Sequence, residues 1–218
     1  MPSASFNPNL SATPTVSVVG TAVVRAEPDE AMLVVTLSAI KDAPGAALED
    51  VARRSEMLVG LLDGFDIESS DRSTTGVSVH EDFDHTPAGR RSLGHRAASA
   101  IAVRLTDLEL IGRLVTRATT ELDARVDGPH WQIAAENPVR LEAARQAAAD
   151  GRRKAQAYAE GVGASLGALI RLAEPESAMF PGHAGKFIAA SRSSGDLPVE
   201  TGDQDIIATI EVTFALIR

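Results

Sequence analysis

Apolar and polar residues alternate with a period of two along much of the chain, a pattern that predicts β-strands. The clearest strands are predicted at 15–24, 30–40, 73–83, 96–105 and 205–217. Two weaker ones are predicted at 124–135 and 169–173. Gly128-Pro129 interrupts the first of these, which indicates an edge strand or a bulge. The short turn at 27–29 predicts that the first two strands form a hairpin.

Between these strands the apolar spacing changes to three and four residues, which predicts helices. The first is expected at 42–62, and a capping box at Thr106–Glu109 opens the second. The third runs over 137–163, with Asn137 as N-cap and Pro138 in the first turn. Its predicted contact face is mostly small and so suited to lie close against a sheet: Leu141, Ala144, Ala148, Gly151, Ala155, Tyr158 and Val162.

The element order is therefore β-β-α-β-β-α-β-α-β-β, and the predicted fold class is α+β. We expect a mostly antiparallel sheet carrying three helices, with a ferredoxin-like split βαβ arrangement in the middle. Residues 1–14 form a disordered lead-in, and 15–218 form a single domain. A long loop at 174–204 is unusual because it carries apolar residues: Met179, Phe180, Phe187 and Ile188.

Composition narrows the class of protein. Aromatic residues make up only 4%, so the core must consist of aliphatic side chains. The net charge of −9 argues against nucleic acid as a partner, and the absence of cysteine excludes thiolate catalysis and disulfides. No signal peptide and no membrane span is apparent, so we expect a soluble, cytoplasmic protein.

The best candidate for chemistry is the histidine and carboxylate run at 80–85, with His95 across the predicted hairpin loop at 84–94. His80, His85 and His95 are candidate ligands for zinc or another divalent ion. The alternative is a solvated hairpin tip, because strand alternation places His80 and His85 on opposite faces. We favour the tip.

Other motifs have ordinary explanations. The glycines at 161–167 end a helix, and the pair His130-Trp131 belongs to the core or an interface. The basic run Arg152-Arg153-Lys154 is a solvated helix face. No nucleotide, hydrolase or zinc-protease motif occurs, so we expect no enzyme, no catalytic residues and no cofactor.

Five stretches together resemble the SIMPL-domain, or YggE-like, bacterial family: 16–29, 75–80, 94–103, 143–163 and 211–216. Ala22 and His95 depart from the family's usual glycine and aromatic residue. The resemblance implies an α+β homo-oligomer, ring- or channel-like in some members and associated with oxidative-stress defence. It brings no agreed catalytic residues, and many relatives are exported to the cell envelope.

Two functions follow from these observations. The first is a non-catalytic oligomeric scaffold that acts in stress defence. The alternative is a binder of a small molecule or a divalent metal that uses the hairpin at 80–95. The small-molecule ligand itself is not predicted.

Overall fold

The computed structural model describes residues 14–86, 89–175 and 201–218, without the side chains of residues 85 and 86. Its described residues form two compact units. The terminal unit contains 14–26, 135–175 and 204–218, and the central unit contains 27–134 with 201–203. Three helices and antiparallel strands confirm the predicted α+β class. The single domain over 15–218 stays a prediction.

The central unit has the predicted split βαβ plan. Its elements are β2 (Glu30–Lys41), α1 (Pro44–Asp63), β3 (Arg72–Thr86), β4 (Gly89–Leu105), α2 (Leu110–Leu122) and β5 (Arg125–Gln132). The sheet order is β3-β4-β2-β5, and each neighbouring pair is antiparallel. Strands β2 and β3 therefore run in the same direction on either side of β4, with α1 as their crossover. Helix α2 joins β4 to β5 in the same way around β2.

One face of this sheet carries the larger core. Strand β2 buries alternate residues as its pattern predicts, and α1 and α2 supply the opposing leucines, including Leu58 and Leu114. The half-buried Arg54 on α1 donates hydrogen bonds to the carbonyl oxygens of Ser38 and Leu122. Its Nε lies 3.3 Å from an oxygen of Asp50, an ion-pair distance without hydrogen-bond geometry. One arginine therefore links β2, α1 and the end of α2.

The terminal unit consists of β1 (Thr15–Ala26), α3 (Pro138–Gly161), β6 (Ser165–Ala173) and β7 (Gln204–Ile217). Its sheet has the order β1-β7-β6 and is antiparallel. Helix α3 packs on β1 and β7, and a small core of Ala147, Ala155, Val212 and Phe214 lies between them. The side chain of Asn137 accepts a hydrogen bond from Val139 N at 2.9 Å, so the predicted N-cap is confirmed.

Helix α3 approaches β1 closely because glycine stands on both sides of the contact. A Cβ atom added to Gly20 would lie 2.7 Å from the backbone N of Gly151, and closer still to the carbonyl oxygen of Ala147. A Cβ atom added to Gly151 would lie 2.8 Å from a methyl carbon of Val212. Side chains cannot occupy such distances, so both glycines are required by packing.

The buried face of α3 differs from the predicted one. Its buried residues are Ala143, Ala147, Asp150, Gly151, Ala155 and Ala159. Gly151 and Ala155 belong to the predicted face, whereas Leu141, Tyr158 and Val162 are exposed. The prediction followed a seven-residue repeat, but a straight helix of 3.6 residues per turn drifts away from that repeat over its length.

The predicted hairpin of the first two strands is wrong. Strand β1 pairs with β7 along its whole length, and β2 pairs with β4 and β5 in the other sheet. The turn between them leads towards β5 instead. Asp29 N donates to the carbonyl oxygen of Gln132, and the Asp29 carboxylate accepts from Ala134 N at 2.7 Å. The hairpin was predicted because the two strands are adjacent in sequence. In the structure β1 pairs with β7 instead, and the turn at Asp29 is bonded to the end of β5.

Three smaller predictions also change. The expected hairpin loop at 84–94 is mostly strand, because β3 and β4 remain paired up to Thr86 and Gly89. The capping box is wrong: the Asp107 carboxylate, rather than Thr106, accepts a hydrogen bond at the start of α2, from Glu109 N. Strand β5 is an edge strand with a shifted register, as predicted. The expected loop at 174–204 lies largely outside the described residues.

Replacing Gly20 or Gly151 by alanine should lower the free energy of unfolding by about 1–3 kcal/mol, because each new methyl group meets backbone or a packed side chain. Gly161→Ala in the same helix is the matched control, since its Cβ would meet nothing within 4 Å. Urea unfolding of the three variants measures the difference. Equal midpoints for all three would show that the close approach does not constrain the fold.

Candidate functional site

The histidine hairpin forms as an extension of the central sheet. Strand β2 follows β4 only as far as His95, so the described residues from Asp82 to Gly94 pair only with each other. The predicted placement of His95 across from the run is confirmed, because Glu81 is its partner in the register. His80 lies opposite Arg96.

Several polar groups of this hairpin have partners within the chain. Arg96 donates two hydrogen bonds, of 2.9 and 2.6 Å, to one oxygen of Asp82, and this guanidinium lowers the pKa of the Asp82 carboxyl. Ser92 donates to Glu81 at 2.7 Å, and His95 Nδ1 lies 3.2 Å from the carbonyl oxygen of Asp42. These contacts are those of a polar hairpin tip.

The metal assignment gains no support from this arrangement. Within the described part of the chain, no three histidine, aspartate or glutamate residues come together as a set of metal ligands. The side chain of His85 lies outside the description, as does His183. A metal site formed by His80, His85 and His95 therefore stays a hypothesis.

The other residues singled out from the sequence are dispersed. Trp131 packs against the core of the central unit, which was one of the two places predicted for it. His130 is exposed beside it on β5. Gly163 ends α3 with a positive φ of 71°, which confirms that the glycines there terminate a helix. The basic run on α3 is only partly solvated, because Lys154 turns towards β1.

Lys154 and Asp150 together occupy the outer edge of β1. Asp150 Oδ2 accepts a hydrogen bond from Thr21 N at 3.0 Å, and Lys154 Nζ donates to the carbonyl oxygen of Val19 at 3.0 Å. The two side chains also pair with each other at 2.7 Å, and Arg153 contacts the second oxygen of Asp150. Two of the backbone groups that β1 would offer to another strand are thereby satisfied, in the middle of its length.

The opposite edge of this sheet differs. Within the described residues β6 pairs with β7 on one side only, and α3 barely reaches it. Leu169, Ile170 and Leu172 are 51%, 55% and 54% exposed, and we call these three residues the β6 surface. Two shifts of register in β6 break its ladder with β7, so this edge offers aliphatic side chains rather than a regular row of backbone groups.

The sequence predicted a strand at the β6 residues, but it did not predict that Asp150 and Lys154 bind the backbone of β1. A signal for it exists. Asp150 stands immediately before Gly151, within a stripe of small buried residues, and a buried carboxylate must have partners. That requirement points to the neighbouring Lys154 and to backbone N–H groups of a strand.

Comparison with protein families decides the relationship. The model of the SIMPL family, described as a protein of unknown function (DUF541), matches residues 16–214. The chain belongs to the SIMPL family. The match covers both units of this SIMPL protein, and no curated protein matches the chain. In the described ranges, no helix has the length and apolar character that crossing a bilayer requires.

Asp150 makes stability depend on pH in a defined direction. Hydrogen bonds from Lys154 and from Thr21 N lower its pKa below the ordinary value near 3.8. A lowered pKa in the folded state stabilises the protein above the pKa of the unfolded chain, and this contribution is lost as pH falls through the folded value. Asp150→Asn should therefore have a lower free energy of unfolding than the unchanged protein at pH 7. Near pH 2 the two free energies should differ much less.

Urea unfolding of both proteins at the two pH values measures this difference. Glu142→Gln is the control on the same helix. Hydrogen bonds from Gln146 and Arg145 lower the pKa of Glu142 as well, but Glu142 is more exposed and in the described chain bonds only to these residues of α3, so its variant should depend less on pH. If the free energies of unfolding of Asp150→Asn and the unchanged protein differ by the same amount at both pH values, the ionised Asp150 carboxylate does not stabilise the fold.

Proposed function

We propose that this SIMPL protein is a non-catalytic, homo-oligomeric scaffold whose copies meet at the β6 surface. The observation that carries the proposal is the exposure of three large aliphatic side chains within a four-residue stretch of one edge strand, interrupted by Arg171. Surface aliphatic residues are common singly, but a contiguous group is typical of an interaction site. The family resemblance supports the choice of a second copy as the partner, since it implies oligomers.

Burial of the β6 surface would supply part of the free energy of association. Covering an aliphatic side chain that is half exposed contributes roughly 1 kcal/mol. Two copies that apply the same surface to each other would cover six such side chains, or about 6 kcal/mol before the cost of association. Further contacts around this patch would be needed for tight binding.

Charge also favours this surface. The chain carries a net charge of −9, so most pairs of surfaces repel each other. Strand β6 contains no acidic residue, and its one charged residue is Arg171. The nearest acidic residues lie at one end of the strand, Glu174 after it and Glu211 opposite Ala173, so a contact centred on Leu169 and Ile170 adds no carboxylate from β6 itself.

Replacing Leu169, Ile170 and Leu172 together by glutamine should convert the oligomer to a monomer of 22.8 kDa. The control replaces Val19, Val23 and Ile207, three aliphatic residues of similar exposure on β1 and β7, and should leave the assembly intact. Light scattering after size exclusion measures the mass. A monomeric unchanged protein, or an oligomer that survives the β6 changes but not the control, would overturn the proposal.

The role in oxidative stress is proposed from the family resemblance alone. If the scaffold acts through assembly, a host lacking the gene should become more sensitive to peroxide. The control variant should restore resistance and the β6 variant should not. Purified protein should not consume peroxide continuously, and sustained turnover would contradict the non-catalytic part of the proposal.

A further inference from the structure

The central unit contains a solvent-open cavity of about 440 Å³ beside the start of α2. The turn after α1, the end of β4 and the first turns of α2 form its walls. Phe65 and Leu110 supply apolar surface, and Asp66, Arg104, Asp107 and Arg113 bring charges of both signs. This volume lies within the range of small-molecule sites, about 300–1,000 Å³.

One of the two arginines is already neutralised. Arg104 pairs with Asp71 and, at 2.9 Å, with Glu30, and the hydrogen bonds that it donates to these two carboxylates raise its pKa. It is therefore a fixed part of the wall. The charges that remain for a ligand are those of Asp66, Asp107 and Arg113.

These three side chains have unused binding capacity. Among the described residues, the carboxylate of Asp66 has no hydrogen-bond or ion-pair partner, and that of Asp107 uses one oxygen to accept a bond from Glu109 N at 3.1 Å. The guanidinium of Arg113 lies 5.3 Å from the centre of the Phe65 ring and contacts no carboxylate in the described chain. A guanidinium without a carboxylate partner is suited to bind one in two-point fashion.

Asp66 also occupies a backbone position where glycine is the usual residue. The Ile67 N–H bonds to the carbonyl oxygen of Leu62, and the Asp66 N–H to that of Asp63, which is the Schellman ending of a helix. Asp66 has a φ of 57° there. Asp123, at the end of α2, has a similar φ of 47° but does not line the cavity. The backbone alone therefore does not mark a site, and Asp123 provides a matched control.

We propose that this cavity binds a small zwitterion, a free α-amino acid or a dipeptide. The ammonium group would lie at Asp66 and Asp107, and the carboxylate at Arg113. The hydrocarbon part would pack on Leu110 and the edge of Phe65. This ligand class accounts for both signs of unpaired charge and for the apolar wall. The proposal is independent of assembly at the β6 surface.

Isothermal titration with each common α-amino acid and a set of glycine-containing dipeptides, up to about 10 mM, tests the ligand class. At least one member should bind. Its N-acetyl derivative, which lacks the ammonium group, and its amide, which lacks the carboxylate, should each bind at least about 10-fold more weakly. Binding of amino acids but not dipeptides, or the reverse, shows which of the two ligand classes the cavity takes. No binding by any member, or equal binding of both derivatives, would overturn the proposal.

Two pairs of variants place the ligand. Arg113→Gln should abolish binding, whereas Arg117→Gln should keep it, because Arg117 is one turn along α2, 5.5 Å from the same Phe65 ring, and does not line the cavity. Asp66→Gly and Asp123→Gly should both raise the Tm by a few degrees, since glycine adopts this backbone without strain. Only Asp66→Gly should lose binding.

The second pair separates a binding role from a structural one, because the variant that loses the ligand is expected to be the more stable protein. Binding retained by Asp66→Gly, or lost equally in the Arg113 and Arg117 variants, would contradict the site. Light scattering on the same samples shows whether a loss of binding is separate from any loss of assembly.

Discussion

The close approach of α3 to β1 at Gly20 and Gly151 determines the arrangement of the terminal unit. A helix that carried ordinary side chains at this contact would stand farther from the sheet. Because both residues are glycine, α3 lies directly over β1 and β7. A helix that is drawn to one side of a three-stranded sheet leaves the third strand, β6, largely uncovered.

The same approach gives the two edges of the sheet different properties. It brings Asp150 and Lys154 within reach of β1, where they satisfy the backbone groups of Thr21 and Val19. Charged side chains that occupy a strand edge in this way disfavour its pairing with another chain. Helix α3 contacts β6 much less than it contacts β1 and β7, and Leu169, Ile170 and Leu172 stay exposed there. One packing contact thus places charged side chains on one edge of the sheet and leaves aliphatic side chains exposed on the other.

Much of this fold can be predicted from the sequence because its signals are local. Periods of two and 3.6 residues located the strands and helices, and Asn137 marked the start of α3. The order of elements was enough to predict the split βαβ plan of the central unit. The pairing of β1 with β7 could not be predicted in the same way, because almost the whole chain separates these strands and adjacent segments seemed to form a hairpin.

The candidate sites were harder to predict, for a physical reason. The histidine run attracted attention by composition, but Asp82 and Glu81 use their oxygens within the hairpin. The cavity beside α2 has no sequence signature, since Asp66 and Arg113 are far apart along the chain and are exposed residues of ordinary type. Only the folded arrangement shows which charges have partners and which do not.

Thiol alkylation tests the central claim about the β6 surface most directly, because the chain contains no cysteine of its own. Ile170→Cys and Val23→Cys introduce single thiols at positions with nearly equal exposure, 55% and 56%. As protein concentration rises through the range of assembly, a maleimide should react more slowly at position 170 and at an unchanged rate at position 23. Assembly that leaves the rate at position 170 unchanged would contradict the account.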